Sequence, residues 1–80
     1  MKDKVKKIEE ALDKHNIYAY VWDEVDEIVI EINDGDWKHE HLACDCIVNK
    51  LFPNAIIKTY VMDDGDGSDC YSARHYVSNI

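Results

Sequence analysis

Val5, Ile8, Leu12 and His15 recur at spacings of three, four and three, one face of a helix, and predict a helix over residues 3–15. Asp3 is placed to cap its start, and Asn16 to stop it in a left-handed conformation. The period then changes. Ile17 to Trp22 is β-branched and aromatic and reads as a strand. A polar turn, DEVD, follows. From Glu27 to Asn33 the chain alternates, with Ile28, Ile30 and Ile32 on one side and Glu27, Val29 and Glu31 on the other. That is the pattern of a half-buried strand. NDGD (residues 33–36) is expected to break it, and Asp36 to cap a second helix running to about Phe52. Trp37, Cys44, Ile47, Val48 and Leu51 form that helix's apolar face. Pro53 ends it, because a residue before proline avoids helical angles. Asn54–Met62 reads as a third strand, DDGDGSD as a glycine-rich turn, and Cys70–Ser78 as a fourth strand.

The order is αββαββ, an α+β class. Two αββ units build a two-layer sandwich: a four-stranded antiparallel sheet in the order 1-2-4-3, with both helices on one face. The second helix crosses from strand 2 to strand 3 over strand 4, in the usual right-handed sense. The arrangement is similar to a circularly permuted ferredoxin-like plait, and this likeness concerns architecture alone. The 80 residues make a single domain, 1–80. YVWDEVDE at Tyr20–Glu27 and YVMDDGDG at Tyr60–Gly67 also point to an internal repeat, about 1–40 and 41–80. At an offset of 40, Ile17 matches Ile57, Tyr20 Tyr60, Val21 Val61, Asp23 Asp63 and Asp26 Asp66.

Alternation assigns the sheet faces. With Ile28, Ile30 and Ile32 toward the helices, Ile17, Ala19 and Val21 join them, and Tyr18, Tyr20 and Trp22 project from the other side. Lys58 carries Ile56, Tyr60 and Met62 to that side, and Arg74 carries Ser72 and Tyr76. Tyrosine, tryptophan and methionine together on one open face are the residue types enriched at interfaces.

Charge narrows the partner. The chain has 17 acidic and nine basic residues, a net charge of −8. Such a field repels nucleic-acid phosphate and anionic membrane and attracts basic surfaces. The first residues, MKDKVKKIEE, contain no apolar stretch, so no leader is expected, and no apolar run is long enough to span a membrane. Three cysteines, Cys44, Cys46 and Cys70, do not form an even disulfide framework and point to free thiols in a reducing cytoplasm.

Motifs for chemistry are sparse. His41 and Asp45 lie four apart on one helical face with Cys44 beside them, and His75 and Cys70 could complete a metal site only through the fold. A surface histidine beside an acid is the reading the sequence supports, and no metal or other cofactor is expected. The Asp64 loop misses the EF-hand spacing, since its sixth and twelfth residues are Asp69 and His75 rather than glycine and glutamate. No nucleophile elbow, phosphate loop or catalytic triad occurs, so the chain is not expected to be an enzyme.

The expectation is therefore a small acidic interaction protein. In size and charge it is similar to stoichiometric inhibitors and DNA mimics, including phage anti-defence proteins of the anti-CRISPR kind. Its partner would be a basic surface, such as that of a nucleic-acid-binding protein, rather than nucleic acid itself. The candidate contact residues are the acids Asp23, Glu24, Asp26, Asp63, Asp64 and Asp66 and the aromatics Tyr18, Tyr20, Trp22 and Tyr60. The alternatives are a metal-binding or regulatory domain, and a homodimer formed through strand 1.

Overall fold

The computed structural model describes residues 1–63 and 69–80. The elements run α1 (Lys2–Lys14), β1 (Tyr20–Asp23), β2 (Glu27–Asp36), a π-helical turn (Trp37–Leu42), α2 (Ala43–Leu51), β3 (Ile56–Asp63) and β4 (Cys70–Ser78). The four strands form one antiparallel sheet in the order β1-β2-β4-β3, as expected for this α+β chain.

Helix α1 begins one residue before the expected cap. The Met1 carbonyl accepts from the Lys4 and Val5 amides, so Asp3 lies inside the first turn, where its charge suits the helix dipole. Its end follows expectation. Asn16 has φ 59°, its amide donates to the Asp13 carbonyl, and the Ile17 amide donates to that of Leu12. These two bonds are a Schellman motif, and Leu12 and Ile17 supply its apolar contact. Ile17 spends its amide on the helix, and the paired part of β1 starts at Tyr20.

Strand β2 is longer than the sequence pattern implied. NDGD does not break it: Gly35 pairs with Tyr71 and Asp36 with Cys70. Between Ile32 and Gly35 the strand inserts one extra residue opposite β4, a β-bulge. Asp34 takes φ 53° there, and its amide donates to Ser72 Oγ. The bulge lets four polar residues continue a strand that their composition seemed to end.

Asp36 caps the next element as expected. Its Oδ1 accepts from the His39 amide at 2.7 Å, while Glu40 Oε1 accepts from the Asp36 amide. The return residue is one position later than in an ordinary capping box. The helix opens as a π-helical turn before tightening into α2. Such turns are uncommon and often accompany functional sites.

Ile8 and Leu12 of α1, Cys44, Ile47 and Val48 of α2, and Ile28, Ile30, Ile32 and Val77 of the central strands form one core cluster. Ala19 and Val21 pack against it, on the side that alternation assigned. Each fully buried isoleucine contributes about 1.5–3 kcal/mol relative to exposure.

Gly35 is buried, and a Cβ there would lie 2.5 Å from Ile32 Cγ2 and 3.2 Å from His41 Nε2. Gly35→Ala should lower stability by about 1–3 kcal/mol in urea melts, as overpacking does. A loss under about 0.5 kcal/mol would show that the bulge relaxes without moving Ile32.

Candidate functional site

The sheet surface opposite the core cluster carries two cross-strand rows. One reads Tyr20, Glu31, Arg74, Tyr60; the next reads Trp22, Val29, Tyr76, Lys58. At the centre of the first row, Arg74 Nε donates to Glu31 Oε1 at 2.8 Å. Arg74 also lies over the Trp22 ring, 5.6 Å from its centroid, and Tyr60 meets Tyr76 edge to face. Val29 sits between Trp22 and Tyr76 and is completely buried although it faces away from the core cluster. The large neighbours shield it.

The rims of this face are open. Tyr18 is 89% exposed, Tyr20 67% and Tyr60 60%, and Ile56 and Met62 are about half exposed. Trp22 is half-buried, and its indole N–H donates to Glu24 Oε1. A concavity of about 310 Å³ lies between Tyr18, Ala19, Tyr20, Glu31 and Asn33. Its lining includes two aromatic rings and one carboxylate.

Asp23, Glu24 and Asp26 are exposed at the β1–β2 turn, where Asp23 reaches the N-terminal ammonium at 3.8 Å. Asp63 ends β3 at the opposite end of the sheet. Asp64 and Asp66 lie outside the described residues. By sequence, residues 20–36 and 56–80, which hold the strands and their turns, contain eleven acids and two bases, Lys58 and Arg74. Residues 1–19 and 37–55 contain six acids and seven bases. The whole net negative charge therefore belongs to the strand and turn segments.

A second site lies inside. His41 is not the surface histidine that the sequence implied; it is fully buried, as is His75 on the inward side of β4. The rings stack at 5.1 Å, and His41 Nδ1 lies 2.9 Å from His75 Nε2. His41 Nε2 lies 2.8 Å from the Tyr71 carbonyl. At the other end His75 Nδ1 meets Asp45 Oδ1 at 2.8 Å and Thr59 Oγ1 at 3.1 Å. The π-helical turn aims His41 inward, and α2 supplies Asp45.

Hydrogen counting constrains this chain. A carbonyl only accepts, so His41 Nε2 donates to Tyr71. The contact between the two rings needs one proton, and the contact between His75 and Asp45 needs another. The two imidazoles and Asp45 thus share three hydrogens across these three contacts. No buried side-chain polar atom among the described residues lacks a partner.

Cys44 completes the cluster. Its ligand atom and those of Asp45 and His75 all lie within 4.8 Å of one another. Burial, followed by the Asp45 charge, pushes the Cys44 thiol up to about 12, so the free thiol is not a nucleophile at neutral pH. Cys70 pairs with Asp36 at the end of β4 and is not part of this cluster. Sequence spacing had grouped His41 with Asp45, but Asp45 bonds His75, and His41 reaches His75 across 34 residues. The signal for His75 was its inward position in the alternation of β4, since a buried imidazole needs polar partners. Thr59 gave no such signal.

Compared with known proteins, the chain matches no family model, no curated protein and no solved structure.

The Arg74 guanidinium, bonded to Glu31, holds the Glu31 carboxyl below the ordinary glutamate range, against a smaller opposing effect of burial. A depressed folded-state value adds stability above the unfolded-state value and loses it as pH falls through the folded one. Glu31→Gln should therefore be less stable than wild type at neutral pH. That difference should narrow as pH falls below the ordinary glutamate range, as read from urea midpoints at neutral and acid pH. An unchanged difference would mean that the pair acts by packing rather than charge.

Proposed function

We propose that this protein is a non-enzymatic binding protein that docks on a basic protein surface through the sheet face carrying Tyr18, Tyr20, Trp22 and Tyr60. One observation carries the reading: Tyr20, Trp22 and Tyr60 sit on strands whose segments hold all of the chain's net negative charge, with exposed Tyr18 two residues before β1. Aromatic rings supply rigid contact area, and the acids select the sign of the partner. The concavity beside Tyr18 and Tyr20 suits a lysine or arginine side chain, with rings for a cation–π contact and Glu31 in its lining. In this reading the fold is a permuted ferredoxin-like sandwich with both helices on the other face. The shared core cluster of Ile8, Leu12, Ile47 and Val48 with Ile28, Ile30 and Ile32 supports that arrangement.

The acids then act in two ways. Glu31 sits within the aromatic face, while Asp23, Glu24 and Asp26 at one end and Asp63 at the other extend the negative field beyond it; Asp64 and Asp66 add their charge by sequence. A field of this sign opposes direct nucleic-acid binding. A partner that itself binds nucleic acid offers the complementary basic groove, and occupying that groove is what a stoichiometric inhibitor of the DNA-mimic kind does.

The test is titration calorimetry and stopped-flow kinetics against the partner captured from cells that make the protein, at low and raised salt. Tyr20→Ala and Tyr60→Ala should each weaken binding about tenfold or more. Combined Asp23→Asn, Glu24→Gln and Asp26→Asn should slow association and flatten its salt dependence. Glu9→Gln with Glu10→Gln on α1 should change neither quantity. A complex insensitive to salt and to the face variants would overturn the proposal. So would a captured partner that proves to be nucleic acid or a second copy of this chain.

A further inference from the structure

We propose that Cys44, Asp45 and His75 form a binding site for a divalent transition metal of the zinc class, with His41 as the group that orients His75. The inference is independent of the docking face and rests on the buried cluster alone. A thiol, a carboxylate and an imidazole nitrogen converge within 4.8 Å, two of them from adjacent residues of α2 and one from β4. Sulfur, nitrogen and oxygen together are a donor set that Zn²⁺ takes with four-coordinate geometry. Three protein ligands leave one further position for water, and the Thr59 hydroxyl, 3.1 Å from His75 Nδ1, borders the same region.

The surroundings match what a metal-bound imidazole requires. A ligating histidine donates its second ring N–H to a fixed acceptor, which sets the tautomer and turns the lone pair toward the ion. Here His75 Nε2 faces His41 Nδ1 at 2.9 Å, and His41 is itself held by donation to the Tyr71 carbonyl at 2.8 Å. His75 Nδ1 is thereby left on the side of Asp45 and Cys44. The relay through His41 to a backbone carbonyl fixes ring orientation across three elements: the π-helical turn, α2 and β4.

The convergence of the three donor atoms carries the proposal, and proton exchange is compatible with it. The hydrogen bond between His75 Nδ1 and Asp45 Oδ1 uses one proton, and the Cys44 thiol carries another. A divalent ion replaces both protons: Asp45 remains a carboxylate, His75 keeps only its Nε2 hydrogen, and Cys44 becomes a thiolate. Two protons leave to solvent as two positive charges enter. The net charge of the buried cluster is unchanged, so loading adds no uncompensated charge to the core. A coordinating thiol is deprotonated by the ion itself, which overrides the effect of burial. Cys44 and His75 are fully enclosed, so the ion would tie α2 to β4 rather than meet a substrate.

The test uses the full chain, stripped of metal and reduced, and titrated with Co²⁺ alone and then with Zn²⁺ alone. A single equivalent of Co²⁺ should produce a thiolate-to-cobalt charge-transfer band and the intense visible bands of a four-coordinate ion, and Zn²⁺ should abolish both. Calorimetry in two buffers of different ionisation enthalpy should show release of about two protons per Zn²⁺, and Zn²⁺ should raise Tm. Cys44→Ala should lose the charge-transfer band, and Asp45→Asn, a near-isosteric change at a half-buried position, should weaken Zn²⁺ binding at least about tenfold. His41→Gln should weaken it by about 10–100-fold while leaving the charge-transfer band in place at saturation. Cys46→Ser with Cys70→Ser should leave all signals unchanged. If Cys44→Ala fails to fold, the Asp45→Asn affinity and the proton count decide the matter. The proposal is overturned if the wild type gives no charge-transfer band and no Zn²⁺-dependent rise in Tm. It is equally overturned if the band survives Cys44→Ala or disappears in the Cys46→Ser, Cys70→Ser protein, since the ion would then sit on the surface.

Discussion

Strands β2 and β4 meet at the centre of the sheet, and their register decides what each half of the chain can touch. Val29 stands opposite Tyr76, Ile30 opposite His75 and Glu31 opposite Arg74. A shift by one residue would turn every one of these side chains to the other face. The core isoleucines, the Glu31–Arg74 ion pair and the inward aim of His75 are all consequences of one alignment. The bulge before Gly35 then resets the strand, so that Gly35 and Asp36 still find Tyr71 and Cys70. Gly35 has to be small because Ile32 and His41 close over it.

The same alignment produces two unlike environments on the two sides of a thin sheet. Toward the core, the polar groups of His41, His75, Asp45 and Thr59 satisfy one another in a chain anchored on the Tyr71 carbonyl. In a low-dielectric interior an unpaired member would be costly, so the chain is constrained as a unit. Toward solvent, Arg74 is shared between Glu31 and the Trp22 ring, and Val29 is sealed beneath aromatic neighbours. The outer face is therefore ordered by its own side-chain contacts as well as by the backbone.

Charge follows the architecture. Seven of the nine basic residues fall in the helical and adjoining segments, while the strands and their turns hold eleven of the 17 acids. The aromatic rims and the negative field consequently belong to the same part of the molecule, and that coincidence is what supports the proposal of a basic partner. Tyr20 and Tyr60 end one cross-strand row on opposite edges of the sheet, although Tyr20 pairs 11 residues ahead and Tyr60 14. The second hairpin thus spans three more residues than the first between the tyrosine and its cross-strand partner.

The strand order was legible from the right-handed crossover rule, and periodicity by itself determined the two helices, the four strands and the shared side of Ile28, Ile30 and Ile32. These follow from local spacing, because a strand repeats every two residues and a helix every 3.6. Asn16 was legible as a helix stop for a similarly local reason, its tolerance of a positive φ. The continuation of β2 through NDGD was not legible, because the bulge depends on what β4 offers opposite: the Ser72 hydroxyl for the Asp34 amide and the Tyr71 backbone for Gly35. Nor was the burial of His41, whose partner lies 34 residues away. Spacing on a helix reports which residues share a face, but not what meets that face. Only packing α2 and the π-helical turn against β4 brought His41, Asp45 and Cys44 to His75, because each buried polar group there is satisfied by a residue from another element.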